Sequence, residues 1–206
     1  MRTRLVQLQC LNSRIYPASP APVYPRPTVD TPGLPAVSSE EMLPLIEPSG
    51  LVYGQATRAW CHSGAKPLHP VVHLHLVDRL GRVYLQKRSM TKDLLPGYWD
   101  TAVGGHITYG ELAEESLYRE TAEELGLTAF NPVFLETSIW ETERDNEFVF
   151  VFAAVGNFDL HPDNDEVDEG RWWTQEELTA AIGKNLLTPN FEAEYARIQG
   201  LLLSLL

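Results

Sequence analysis

Between Gly105 and Leu127 the chain reads GHITYGELAEESLYRETAEELGL, with Glu120, Glu123 and Glu124 at i, i+3 and i+4. On an α-helix these three side chains leave one face, a turn apart. The spacing predicts a helix from about Glu111 to Leu125, stopped by Gly126. Like charges so placed repel, and a folded chain must supply a counter-charge if the face is partly buried. Mg²⁺ does this well: it takes carboxylate oxygens, keeps waters and bridges to substrate phosphates. Arg119 can reach Glu123 or Glu111 and hold a carboxylate by a bidentate contact. The Gly104-Gly105 pair ahead of the helix lets the backbone approach a metal or a phosphate closely. A Glu-rich helix is as a rule a solvated face, so the run Arg-Glu-x-x-Glu-Glu alone does not separate the two readings.

Around this helix the pattern is mixed α/β. Residues 43–58, LPLIEPSGLVYGQATR, read as two strands about a Pro48-Ser49-Gly50 turn. VVHLHLVD (71–78) is an apolar strand with β-branched residues, turned at Leu80-Gly81 into RVYLQKRS. The stretch KDLLPGYWDTAVGGHITYG reads as a loop. PVFLETSIWET and EFVFVFAAV read as strands on either side of a charged turn, ERDN. Thr174-Gln175-Glu176-Glu177 is a capping box that opens a helix, and a last helix spans roughly Phe191 to Leu205. There is no internal repeat.

The chain's 206 residues suit one domain with a full core. A net charge of −12 argues against a nucleic-acid polymer held by phosphate neutralisation. Small anionic ligands stay open, because metal ions and local Arg and Lys override the global field. The two cysteines, Cys10 and Cys61, form no CxxC pair, so neither a disulfide framework nor a Cys-rich zinc site is expected, and a reducing, cytoplasmic setting fits. No apolar run approaches a membrane span. Residues 1–41 differ from the rest: they are Pro-rich, and Arg2, Arg4, Arg14 and Arg26 face only Asp30 before Glu40. Residues 1–39 thus carry +3 and leave −15 for the remainder. This segment is expected to be a disordered or loosely attached extension, with the domain at 42–206. An Arg-rich, acid-poor beginning is also the composition of a transit peptide. A start codon placed too far upstream is a third reading, since Met42 opens the first strand-like segment.

Gly105, five residues, Glu111, seven residues, Arg119-Glu120, then Glu123-Glu124, one residue, Gly126-Leu127 fixes eight positions over 23 residues. This segment resembles the Nudix box at every charged and glycine position. Thr121 departs from it, because the family favours an aliphatic residue there. Pro96-Gly97-Tyr98-Trp99 ahead of the box and EVDEGRWWTQEEL after it are similar to Nudix surroundings, so the resemblance covers about 42–200. It implies an α/β fold, an α/β/α sandwich around a mixed β-sheet. It also implies a Mg²⁺-dependent enzyme, with Mn²⁺ as the alternative ion, that hydrolyses a diphosphate linkage in a nucleoside diphosphate-X type or related small substrate. By the same resemblance Glu120, Glu123 and Glu124 are metal ligands and the source of base assistance, and the Gly105 carbonyl adds a ligand. Arg119 and Glu111 orient those carboxylates. Many Nudix enzymes pair as homodimers, which leaves that state open here. The group X is read by variable loops, and no run of residues names it.

A second set of residues stands apart from the box. His62 and His69 lie seven apart, His106 follows the glycine pair, and Asp145 and Glu147 open EFVFVFAAV. Three histidines and two carboxylates make a second metal site if the fold brings them together; singly, each is more often a surface or core-edge residue. The spacing is similar to that of isopentenyl-diphosphate isomerase, a divergent Nudix relative that binds a divalent metal through such a set. Asp145 stands where that family has glutamate, which shortens its reach. Arg88 and Lys92 match basic residues that hold the isoprenoid diphosphate there; otherwise they lie on a solvated loop. The isomerase needs a cysteine directly before the Gly-His of its motif. Here that position is Gly104, and neither Cys61 nor Cys10 replaces it by sequence position. Without a thiol the proton transfer lacks its acid–base partner. The hydrolase box, degraded in isomerases, is complete. The expectation is a hydrolase of the isomerase-like branch. Isomerase-like activity and a non-catalytic Nudix binding module are the alternatives. His73 and His75 share a strand face with Val71 and Val77 and either line the substrate side or sit under the N-terminal segment. Tyr98, Trp99, Trp140, Trp172 and Trp173 could stack a base, but core packing is the default.

The composition of residues 1–41 cannot bury enough apolar area to offset chain entropy. A chain starting at Met42 should therefore keep its thermal midpoint and its activity; a large loss of either would show that the extension packs on the domain.

Overall fold

The computed structural model describes residues 40–92, 94–162 and 167–206. The proline-rich extension lies outside the described residues except for Glu40 and Glu41. Glu41 is already engaged: its carbonyl accepts from the Arg58 amide at 2.8 Å and its carboxylate pairs with Arg58 at 3.1 Å.

Strands β1 (Met42–Ile46) and β2 (Val52–Thr57) form an antiparallel hairpin. Thr57 then caps a short helix, α1 (Arg58–Trp60), which runs into a wider helical turn over Cys61–Ala65. Leu43, Leu45 and the fully buried Cys61 make a small core under the hairpin.

The main sheet has the order β5 (Trp99–Asp100), β4 (Val83–Arg88), β3 (His69–Val77), β8 (Asn146–Val155), β7 (Val133–Glu141), with β6 (Val103–His106) also on β3 and β9 (Val167–Trp173) also on β4. Its centre is β3 (His69–Val77) and β8 (Asn146–Val155), paired in parallel over nine positions. The neighbouring pairs are antiparallel, so the sheet is mixed. All of β3 is buried, which is why it reads as a near-continuous apolar run: both faces are covered. Val72, Leu74 and Leu76, with Phe148, Phe150 and Phe152, pack against Leu117 and Leu125 of α2 (Ala113–Leu125). Val71, Val77, Val149 and Val151 pack against Leu178 of α3 (Gln175–Ala181) and Phe191, Tyr195 and Ile198 of α4 (Pro189–Leu203). One sheet between two helical layers is the expected α/β/α sandwich.

Thr174 and Glu177 make the capping box at α3, and Thr188 accepts from the Phe191 amide ahead of α4, with Pro189 in its first turn. Helix α2 begins at Ala113, two residues later than its charge pattern predicts. Glu111 stays outside because its carboxylate accepts from the Thr108 amide at 3.2 Å and holds Arg119. Thr121 is buried, and its hydroxyl donates to the Leu117 carbonyl at 2.6 Å, so the polar atom costs the core no unmet hydrogen bond.

The segment read as a loop before α2 contains two short strands, β5 (Trp99–Asp100) and β6 (Val103–His106). They are too short for alternation to reveal. They matter for the site, because β3 is shared along one edge. It pairs with β6 over Val71–Leu74, but with β4 (Val83–Arg88) only at Leu76 and Val77. β4 and β6 therefore diverge, and β4 is closed on its far side by β9 (Val167–Trp173). Among the described residues no helix is long and apolar enough to cross a membrane.

Gly170 of β9 lies over the Tyr84 ring: a Cβ there would be 1.8 Å from the buried tyrosine's hydroxyl oxygen. Gly170→Ala should lower the unfolding free energy by about 1–3 kcal/mol, read from denaturant titration, because the ring cannot retreat without moving Trp172 packed on its edge.

Candidate active site

A cavity of about 990 Å³ opens where β4 and β6 part. One wall is the acidic face of α2. Arg119 organises it: Nε and Nη2 donate to the two Glu111 oxygens at 2.8 Å each, and Nη1 donates to Glu120 at 2.7 Å and Glu123 at 3.2 Å. Nη2 also reaches the His106 carbonyl at 3.0 Å, tying the helix to β6. Burial would push the Glu111 carboxyl up, but Arg119 and the Thr108 amide hold it low. Burial raises Glu120, with Arg119 partly offsetting it. Glu120 fits only because Gly105 has no side chain: a Cβ there would be 2.1 Å from the Glu120 carboxyl carbon. Glu124 is buried and accepts from Gln86 Nε2 at 2.9 Å. The oxygens of Glu120, Glu123 and Glu124 face the same cavity but are not gathered within 4.8 Å of one another.

The opposite wall carries His62 and His106, with His69 fully buried behind them. Parallel register sets His69 against Glu147, and β6 brings His106 beside Val71. Asp145 ends the turn after β7 (Val133–Glu141), where its amide donates to Thr142 Oγ1 at 3.0 Å. His62 comes from the wide turn after α1. The ligand atoms of His62, His69 and His106 lie within 4.8 Å of one another, as do those of His69, Asp145 and Glu147. His62 Nδ1 is 2.7 Å from Asp145 Oδ2, and His62 Nε2 is 2.9 Å from His106 Nε2. All five residues singled out by spacing meet here, and the shorter aspartate reaches because the turn carries it inward.

The donor set fits a divalent transition metal. Two nitrogens bound at about 2.1 Å and at right angles stand about 3.0 Å apart, close to the His62–His106 separation. His69 Nε2 is buried with no hydrogen bond, and Asp145 Oδ1 stands 3.5 Å from it. Burial pushes both His69 and His106 down, and for His106 the nearby Arg58 adds to this, which favours the neutral ring that a metal ligand needs. Asp145 stays ionised: burial opposes this, but His62 prevails.

Arg88 and Lys92 line the same cavity. Arg88 donates to Asp100 at 3.3 Å and to the Leu94 carbonyl at 3.2 Å. Among the described residues no tyrosine or tryptophan lines the cavity. Trp99 and Trp173 are buried edge to face at 5.2 Å, with Arg171 over Trp173, while Trp172 and Trp140 pack against the two cores. Tyr98 is half-buried outside the cavity lining. Cys61 does not line the cavity, and burial pushes its thiol up to about 11. Sequence reasoning missed Gln86 and Glu194. Gln86 carried no signal, whereas Glu194 falls on the apolar stripe of α4.

The NUDIX domain family model matches residues 67–193. The chain belongs to the NUDIX family. It is 30% identical over 154 residues to isopentenyl-diphosphate Delta-isomerase of Mycolicibacterium vanbaalenii, spanning 72% of this chain and 85% of that one. It is 32% identical over 146 residues to the uncharacterized Nudix hydrolase YfcD of Escherichia coli, spanning 70% and 79%. Among solved structures it is similar to DR0079 of Deinococcus radiodurans, with a TM-score of 0.66, 25% identity and coverage of 76% and 98%. The MutT protein of Methanosarcina mazei shares the fold at a TM-score of 0.57, 24% identity and coverage of 66% and 96%. This NUDIX chain thus has curated relatives on both the isomerase and the hydrolase side.

Glu147 is half-buried at the cavity wall, and burial together with the Asp145 charge pushes its carboxyl up to about 7. Its folded value lies above its unfolded one, so its contribution to stability is full below about pH 4.5 and is lost as pH rises through about 7. Without added metal the thermal midpoint should fall across that window, and Glu147→Gln should flatten the fall.

Proposed function

We propose that this chain is a divalent-metal-dependent hydrolase that cleaves the diphosphate linkage of a nucleoside diphosphate-X type or related small substrate. The observation that supports this best is the shared cavity: the complete glutamate face of α2 lies across from Arg88 and Lys92. Cleaving a diphosphate requires a proton to leave water while charge builds on phosphate oxygens. In this reading Glu120, Glu123 and Glu124 hold Mg²⁺, or Mn²⁺ in its place, and the Gly105 carbonyl adds to the set. The metal, when bound, supplies Lewis acidity and lowers the pKa of water. Arg119 and Glu111 fix the carboxylates, and Gln86 fixes Glu124. Arg88 and Lys92 hold the diphosphate. Burial raises the Glu120 carboxyl, with Arg119 partly offsetting it, which suits Glu120 to base assistance.

The isomerase reading is favoured by the histidine cluster and by the isomerase-named relatives. Against it stands Gly104 at the thiol position. Cys61, fully buried under the β1–β2 hairpin and outside the cavity lining, cannot take that part. We therefore assign His62, His69, His106, Asp145 and Glu147 to a second metal that shapes the pocket or polarises the diphosphate from the other side.

A screen of diphosphates with Mg²⁺ and with Mn²⁺ should yield metal-dependent release of a phosphate-bearing product. Glu124→Gln should remove that activity with the fold intact, and Arg119→Ala should impair it. His62→Ala should lose a tightly held transition ion in metal analysis. Full turnover in Glu124→Gln would take the box out of the mechanism. Double-bond migration without hydrolysis would return the chain to the isomerases.

A further inference from the structure

Behind the two walls lies a buried group that neither metal set uses. His73 and His75 of β3 point to the α4 side of the sheet, and Glu194 of α4 meets both. His73 Nδ1 is 3.0 and 3.2 Å from the two Glu194 oxygens, and His75 Nε2 is 2.6 Å from Oε1. Glu194 is 1% exposed. A carboxylate so buried is costly unless its oxygens are paired, and here both accept. The contact keeps a proton on His73 Nδ1 and fixes the ring plane, as the carboxylate of a catalytic triad does for its histidine.

The other edge of that ring lines the cavity. Its Nε2 makes no hydrogen bond among the described residues, and Gly104 lies against it. A Cβ on Gly104 would stand 3.5 Å from His73 Cδ2 and 3.6 Å from Nε2, so a side chain at 104 would lie over the ring. Gly104 does not have a positive φ, so its backbone does not demand glycine. What the missing side chain does is leave the ring edge open. The neighbouring cations differ in this respect: Arg88 is tied to Asp100, and Arg119 to three glutamates.

We propose that His73, oriented by Glu194, is a substrate-contacting residue whose Nε2–H donates to an oxygen of the bound diphosphate. The assignment rests on the diphosphate reading above. The charge state agrees with it: burial lowers the His73 pKa, but the Glu194 carboxylate outweighs this and raises it to about 9. A donor fixed before the substrate arrives needs no reorganisation when charge develops on the oxygen it faces. Glu194 is a positioning residue that acts through His73.

The test is titration calorimetry of the full chain with Mg²⁺ and methylenediphosphonate, a diphosphate that cannot be hydrolysed. His73→Gln should weaken binding about tenfold or more, as loss of a hydrogen bond from a charged donor does. Glu194→Gln should also weaken it, but should add no further loss in the His73→Gln background, whereas a merely structural role would add to it. Imidazole ¹⁵N spectra of the wild-type protein guard against a misfolded variant: the His73 Nε2 signal should move as the probe saturates. Wild-type binding with an unmoved signal, or equal affinity in His73→Gln, overturns the assignment and leaves the diphosphate reading standing. A wild-type chain that does not bind the probe overturns the diphosphate reading, and this assignment with it.

Discussion

The bidentate contact between Arg119 and Glu111 is what allows an acidic helix face to stand at a sheet edge. Three glutamates within five residues repel, and two of them are pressed toward protein rather than water. Arg119 answers with one planar fork. Two of its nitrogens fix Glu111, a third reaches Glu120 and Glu123, and the fork also binds the His106 carbonyl. One side chain thus joins α2, the loop before it and β6. A lysine could neutralise one of these groups but could not hold the geometry, because its ammonium is a point charge without a fork. The register of β6 against β3, and with it the position of His106, leans on the same contact.

Much of this was legible in the sequence, for reasons that can be named. The acidic helix declared itself because i, i+3, i+4 spacing is a local signal, and its partners Glu111 and Arg119 lie within the same 23 residues. The sheet's centre was legible because a strand covered on both faces must be apolar throughout. β5 and β6 were not legible: a two-residue and a four-residue strand carry no period, and their pairing is decided by a β3 edge about thirty residues away. Glu194 was hidden differently. Its partner His73 is 121 residues distant. Yet Phe191, Tyr195, Ile198 and Leu202 mark a buried stripe on which Glu194 also falls, and a carboxylate on such a stripe must have a partner. That signal, set beside two unassigned histidines on a central strand, was available.

The histidine wall shows how topology builds a cluster from separate pieces of chain. His69 and Glu147 meet because β3 and β8 run parallel in one register. An antiparallel arrangement would send one of them to the far end of the sheet. Asp145 comes within reach because Thr142 closes the turn around its amide. His62 arrives on a turn outside the sheet and is held by Asp145. The two groups of candidate ligands share β6: His106 ends it and is tied to α2 through Arg119, and Gly105 beside it makes room for Glu120.

The two glycines before His106 illustrate how much chemistry an absent side chain can decide. In β6 they point to opposite sides. Gly105 faces α2, and its missing Cβ is filled by the Glu120 carboxyl, so any larger residue would expel a carboxylate from the acidic face. Gly104 faces the other way, toward His73, where a Cβ would only make ordinary contact. Sterics therefore demand the first glycine and merely permit the second. The isomerases, by resemblance, place their thiol at this permissive position. In this chain nothing occupies it, and the group left open to the cavity is an imidazole braced from behind by a buried carboxylate. A side chain at 104 would lie over the ring edge that Glu194 braces from behind, so the openness of that edge to the cavity depends on Gly104.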